Sequence, residues 1–160
     1  MRNEGIVYRR ATLNDVSALV DYRVRFLNEL YSHVDDYSTK VVRESLLRYF
    51  TKAIPSGDFV AWVAELDEKV IATSGMVVWQ IPAIYGGVES GRLGYLLNFY
   101  TIPEARRKGI ATRLLNELIK EARLLGLRYL HLHASKYGES VYRKAGFAET
   151  HMLELELRLE

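Results

Sequence analysis

The stretch from Tyr95 to Gly126 leaves this chain few folding options. "YLLNFYT" is an apolar, aromatic-rich run of strand character, and "IPEARRKG" is a turn holding three consecutive cations, Arg106, Arg107 and Lys108. Ile110, Leu114, Leu115, Leu118, Ile119, Ala122 and Leu125 then recur at helical spacing, and Gly126 stands where that helix would close. A strand that feeds a helix with one broad apolar stripe must lay that stripe on a sheet.

The rest of the chain supplies the sheet. Ile6 to Arg10 reads as a short strand, and in "ATLND" Thr12 caps a helix with Asp15 three residues on, a variant of the capping box. Val16, Leu19, Val20, Val24, Leu27 and Leu30 give that helix one apolar face. "YSHVDDYST" interrupts it, and Val42, Leu46, Tyr49 and Phe50 mark a second helix that "IPSGD" ends. Phe59 to Glu65 and Val70 to Gln80 are strand-like, and the "LDEK" between them has hairpin length, so the two are expected to pair antiparallel. "IPAIYGGVESGR" is a long loop of the kind that often binds. Beyond the basic turn and its helix, "RYLHLHA" alternates as a strand, and Glu139 to Ala145 forms a short helix closed by Gly146. "MLELELRL" sets Leu153, Leu155, Leu157 and Leu159 against charges as a last strand with one buried and one wet face. The expected order is β α α β β β α β α β: an α/β mixed sheet with helices packed on it.

Length and composition narrow the function. The 160 residues suit one domain with a real core, and the 49% apolar and 26% charged content is that of a globular chain. A formal charge of +2 makes the whole protein no electrostatic match for nucleic acid or an anionic membrane, so neither partner is expected. Without cysteine there are no disulfides, thiolate metal sites or cysteine nucleophile, which suits a cytoplasmic location. The start, "MRNEGIVYRR", has no apolar signal core, and no run reaches the ~18 apolar residues of a membrane span.

The basic turn has a chemical logic. First-turn amides of a helix lack internal partners, the aligned dipoles leave partial positive charge there, and glycine lets an anion approach the backbone. Phosphate or pyrophosphate is the ligand class this suits. Neither the Walker A pattern nor the Rossmann glycine pattern is present. Arg106, Arg107, Lys108, Gly109, Ile110 and Ala111 instead resemble the acetyl-CoA motif of the GNAT N-acetyltransferase superfamily, written Q/R-x-x-G-x-G/A. "YLHLHASKYGESVYRKAGF" resembles that family's next strand and short helix ending in Y-x-x-x-G-F, and "YRRATLND" its opening strand and helix cap.

The resemblance implies a single acetyltransferase domain over residues 1–160 with a GNAT-like, mostly antiparallel sheet whose central strands splay around acetyl-CoA. The pantetheine arm would lie along Asn98, Phe99, Tyr100 and Thr101, and the pyrophosphate on the amides of Arg107 to Ala111, with Thr112 in the same first turn. Tyr142 would be the general acid that protonates the CoA sulfur. The base that the family often carries on the preceding strand is replaced by Asn98, which would position a water; His131 and Glu65 are the other candidates. Glycine often stands in the family where Arg107 does, and Asn where Ser135 does; Ser135 retains a hydrogen bond to offer the pantetheine or a turn. No metal is implied.

Several residues carry two readings at this point. The cations are either phosphate ligands or a solvated face. Tyr142 is either an acid or a core tyrosine, and His131 and His133 share a strand face without a third ligand at metal spacing. Tyr31, Trp79, Tyr85 and Tyr95 either line an acceptor pocket or fill the core. Tyr31, His33, Asp35 and Asp36 lie where the family gates its acceptor, and the two aspartates suit either a cationic amine or a helix cap. The function expected is N-acetylation of a small-molecule or peptide amine; a non-catalytic acyl-CoA-binding module is the alternative. The alternating last strand, as a sheet edge, would pair with a second copy to give a homodimer.

Overall fold

A computed structural model describes residues 5–32, 34–151 and 154–159. β1 (Val7–Arg10) leads through a 3-10 turn at Leu13–Asp15 into α1 (Val16–Leu30) and α2 (Asp36–Ser56). β2 (Phe59–Leu66), β3 (Lys69–Gln80) and β4 (Arg92–Thr101) follow. A 3-10 turn at Pro103–Ala105 then precedes α3 (Ile110–Leu124), β5 (Leu130–His131) and α4 (Glu139–Lys144). The strands form one sheet in sequence order, antiparallel from β1 to β4 and parallel between β4 and β5.

Local chemistry sets several of these boundaries. Thr12 and Asp15 make the reciprocal capping box, and Asp15 holds the Arg9 guanidinium by two bonds of 2.8 and 2.9 Å. The β2–β3 hairpin closes on Asp67 and Glu68, at φ of 49° and 60°, which is the left-handed pair a two-residue turn needs to match the strand twist. Gly57 and Gly126 end α2 and α3 in the left-handed conformation.

The sheet carries a core on each face. Leu19, Val20, Phe50, Phe59 and Val63 join α1 and α2 to one side, where the Phe50 and Phe59 rings lie 4.8 Å apart. Met76, Leu96, Leu115 and Leu118 seat α3 on the other, extended toward the N-terminus of α3 by Ile71, Ala105, Ile110 and Leu114. The stripe on α1 is buried at Val16, Leu19, Val20 and Val24, while Leu30 at its end is exposed.

The C-terminal segment departs from expectation. Residues 154–159 form no strand, and Leu155, Leu157 and Leu159 are each more than 80% exposed. Alternation gives a segment two unlike faces, but a strand also needs ladder hydrogen bonds to a neighbour, and residues 154–159 form none among the described residues. Glu154 meets His133, just past the end of β5, through its side chain and not through the backbone. The sheet edge expected to pair with a second copy is therefore not formed there; Met152 and Leu153 lie outside the described residues.

Candidate functional site

β4 and β5 pair only at Gly94–Leu130 and Tyr95–His131, after which β4 continues six residues alone on that side. Opposite β3, Thr73 faces Tyr100 and Gly75 faces Leu97, so Asn98 and Phe99 together oppose the single residue Ser74. This β-bulge is held by Asn98 at φ 60° and by the Thr73 hydroxyl, which donates to the Asn98 carbonyl at 2.9 Å. An extra residue puts two successive side chains on one face. Leu97 joins the α1–α2 core and Asn98 also points to α1, where its Nδ2 donates to the Leu19 carbonyl at 3.4 Å. Asn98 is 2% exposed, and its Oδ1 is buried without a hydrogen-bond partner among the described residues. Phe99 turns to the α3–α4 face, and Tyr100 stacks on Tyr22 of α1 at 5.4 Å.

Past Thr101 the chain enters the basic turn, whose three cations separate by role. Arg106 is committed to the fold: its Nε donates to the Thr101 carbonyl at 2.9 Å, and its Nη2 reaches both Glu29 carboxylate oxygens at 2.9 and 3.0 Å. Tyr100 donates to the same carboxylate at 2.7 Å, so Glu29 ties α1 to the turn. Lys108 folds back to the Glu104 carbonyl at 3.0 Å. Arg107 is exposed, with φ of 63°, the conformation that favours the glycine expected at its position.

Gly109, at φ 78°, is the N-cap of α3 and supplies no capping side chain. The first intrahelical bond runs from the Arg113 amide to the Gly109 carbonyl at 3.1 Å, leaving the amides of Ile110, Ala111 and Thr112 ahead of it. Buried Ile110 anchors this turn to the sheet, while Thr112 is exposed. The result is a positive helix end open to solvent at the end of the unpaired β4 edge.

Tyr142 of α4 faces the same cleft from the other wall. Its ring meets Phe99 edge-on at 5.6 Å and Phe147 at 5.9 Å, and burial pushes its pKa up to about 12. The phenol is therefore a proton donor throughout the neutral range, and it has no hydrogen-bond acceptor among the described residues. Ser135 serves the turn ahead of α4, accepting from the Gly138 amide at 3.3 Å.

The base candidates part company. Glu65 lies on β2, two strands from β4, and its carboxylate is taken by Arg9 at 2.6 Å, so it is removed from the cleft. His131 is half-buried at the last β4–β5 pair, with its ring toward Tyr129. His133 makes the stronger network: its Nδ1 meets the Tyr95 hydroxyl, and its Nε2 lies 2.6 Å from Glu154.

On the α1 face, Trp79 and Tyr95 stack at 4.6 Å with 12° between their planes. Arg23 of α1 adds a half-buried guanidinium whose charge is influenced by Tyr95, one ring of that stack, and by Tyr31. Arg23 was missed in the sequence, though it sits one turn after Leu19 and one before Leu27 on the apolar stripe. Tyr85 is fully exposed and outside this group. Asp35 accepts from the Ser38 amide at 2.7 Å as the N-cap of α2, which settles it as a cap; His33 is outside the described residues. Two surface concavities, of about 450 and 480 Å³, lie at Arg10–Asn14 beside Ile54 and Phe59, and between Arg9, Asp21, Tyr22 and Glu65, away from the cleft. Among the described residues no cluster of three His, Asp or Glu could hold a metal, and no helix is long and apolar enough to cross a membrane.

Comparison with known proteins identifies the architecture. The model of the acetyltransferase (GNAT) family matches residues 27–147. The crystal structure of a predicted acetyltransferase with acetyl-CoA from Clostridium acetobutylicum is 36% identical, covers 94% of this chain and 96% of its own, and superposes with a TM-score of 0.83. A GCN5-related N-acetyltransferase from Ralstonia eutropha JMP134 shares the fold at 22% identity and a TM-score of 0.84, over 96% of this chain and 99% of that one. GCN5-related N-acetyltransferase 6, chloroplastic, of Arabidopsis thaliana is 36% identical over 61 residues, a match spanning 36% of this chain and only 21% of that relative.

Proposed function

The chain belongs to the acetyltransferase (GNAT) family, and from that premise we propose that it moves an acetyl group from acetyl-CoA directly to a primary amine of a small-molecule or peptide acceptor. The observation that carries the reading is the junction of β4 with α3. A strand edge that parts from β5 after Tyr95 runs into a helix N-terminus without a capping side chain.

The residues present fit acetyl-CoA. The free edge of β4 at Phe99, Tyr100 and Thr101 suits the amides of a pantetheine arm, which would add as a strand. The amides of Ile110, Ala111 and Thr112 suit the pyrophosphate, and a side chain atom added at Gly109 would meet nothing within 4 Å, so the approach is open. Of the cations, Arg107 is the one placed to add charge there, since Arg106 is spent on Glu29.

Acetyl-CoA supplies an activated thioester. The chain's part is to hold it, to present a β4 backbone N–H at the bulge to the carbonyl oxygen as that oxygen gains charge, and to donate the Tyr142 proton to the departing sulfur. An alkylamine with pKa ~10.4 arrives protonated and must lose that proton before it attacks. Of the two imidazoles, His133 touches the Tyr95–Trp79 pair, while His131 turns toward Tyr129. Both ring nitrogens of His133 are already engaged, Nδ1 by the Tyr95 hydroxyl and Nε2 by Glu154, so it takes up a proton only through one of those partners.

The test is release of free CoA from acetyl-CoA by purified protein across a panel of primary amines, with acetylated product identified by mass. Amine-dependent thiol release supports the transfer. Tight acetyl-CoA binding with no release from any amine would instead make the protein a non-catalytic acyl-CoA-binding module.

A further inference from the structure

Arg23 poses a problem that the fold itself does not solve. Its guanidinium is half-buried, and burial pulls its pKa down from the ordinary arginine value. No carboxylate pairs with it among the described residues; its guanidinium lies over the Phe26 ring at 5.6 Å, and the phenols of Tyr95 and Tyr31 are near enough to act on its charge. Several other arginines of the chain have carboxylate partners. Arg9 has Asp15 and Glu65, Arg43 has Asp21, Arg106 has Glu29, Arg113 has Glu117, and Arg143 has Glu139 and Glu149. The carboxylate nearest in effect to Tyr95 is Glu154, and it is bonded to His133. A guanidinium partly withdrawn from water without an anion carries a desolvation cost, and its planar fork is shaped for bidentate capture of one.

Its position gives that capture a use. Arg23 follows Leu19 by four residues on α1, about one turn or 5.4 Å along the helix. The Leu19 carbonyl is the group that Asn98, at the β4 bulge, touches. The Trp79–Tyr95 stack begins three residues before that bulge on the same strand. An acceptor lying on these aromatics would therefore have its amine at the bulge and its other end at Arg23, a few bonds away.

We propose that Arg23 anchors an anionic group of the acceptor, so that the amine acetylated belongs to a small molecule or peptide end that also carries a carboxylate or a phosphate. This rests on the transferase reading above and narrows its substrate class away from polyamines and other wholly cationic amines.

The experiment pairs each acceptor with its neutral counterpart in the thiol-release assay. L-amino acids are set against their carboxamides, glucosamine 6-phosphate against glucosamine, and spermidine serves as the cationic control. The expected result is a kcat/KM at least tenfold higher for one anionic class, with the amino acid and phosphate arms distinguishing carboxylate from phosphate. Arg23→Met should then raise KM for the anionic acceptor at least tenfold while leaving kcat, the KM of its neutral partner and the KM of acetyl-CoA nearly unchanged. Arg23→Lys, which keeps charge but loses the fork, should fall between. Preference for neutral amines or spermidine, or an Arg23→Met variant that shifts both partners alike, would overturn the inference and leave the transferase reading intact. A panel in which no amine releases CoA would bring down both.

Discussion

Replacing Tyr142 by Phe separates the two readings of that residue with one atom. The ring contacts with Phe99 and Phe147, at 5.6 and 5.9 Å, survive the change, and the hydroxyl removed has no acceptor among the described residues. Stability at neutral pH should therefore move by less than about 1 kcal/mol. Activity should not be spared. A positioned general acid contributes on the order of 10²- to 10⁴-fold, so kcat in the thiol-release assay should fall by about that factor with the KM of acetyl-CoA little changed. The alkaline range adds a second readout. Burial raises the Tyr142 pKa from its ordinary value of 10.0 to about 12, so the folded state holds the proton more tightly than the unfolded chain does. Its contribution to stability is complete below pH ~10 and is lost as pH rises toward ~12, by about 2–3 kcal/mol. Denaturant melts between pH 9 and 11.5 should show that loss in the wild type and a smaller one in Tyr142→Phe. A variant with wild-type kcat would refute the acid role and return Tyr142 to packing alone.

Two further substitutions test the scaffold. Burial alone would raise the Asp15 pKa, but hydrogen bonds from Arg9 and Thr12 hold it below the ordinary value, so its stabilisation is present above pH ~4 and lost as the carboxylate protonates below that. Asp15→Asn should cost about 2–3 kcal/mol at pH 7 and flatten the acid limb of a pH–stability curve; an unchanged limb would contradict the pairing. Arg107→Gly should be neutral to stabilising by up to about 1 kcal/mol, because a left-handed non-glycine costs about 1–2 kcal/mol and the added chain entropy returns about half of it. A thermal melt lowered by more than a few degrees would contradict the left-handed geometry of the turn.

What could be read from the sequence was local. Thr12 and Asp15 cap a helix wherever they stand in that order, the two residues Asp67 and Glu68 close a hairpin, and the stripe from Ile110 to Leu125 has one way to be buried. What could not be read depends on a partner distant in the chain. The bulge at Asn98 is a matter of register, two residues of β4 set against Ser74 of β3, which the sequence around Asn98 does not specify. Arg106 is held by Glu29, 77 residues away, a partner that nothing in the basic turn announces. The leucines from Leu155 to Leu159 have a strand's pattern but make no ladder bonds to another strand among the described residues. Arg23 did leave a signal, a charge set into an apolar helical stripe, but its meaning required the ring stack of Trp79 and Tyr95 to be in place.

The central claim is that the β4–α3 junction holds acetyl-CoA, and calorimetric titration of acetyl-CoA into the wild type and Gly109→Asp tests it most directly. An aspartate at this N-cap accepts from the first-turn amides and is tolerated at positive φ better than most side chains, so the helix should keep its stability. Its charge would lie about 4 Å from a bound pyrophosphate, worth between about 1 kcal/mol in water and about 4 kcal/mol at a protein surface, or on the order of 5- to 700-fold in affinity. One-to-one binding to the wild type that weakens by that factor in a variant of unchanged melting temperature is the predicted result. Wild-type affinity in Gly109→Asp, or no binding to either protein, would contradict the account.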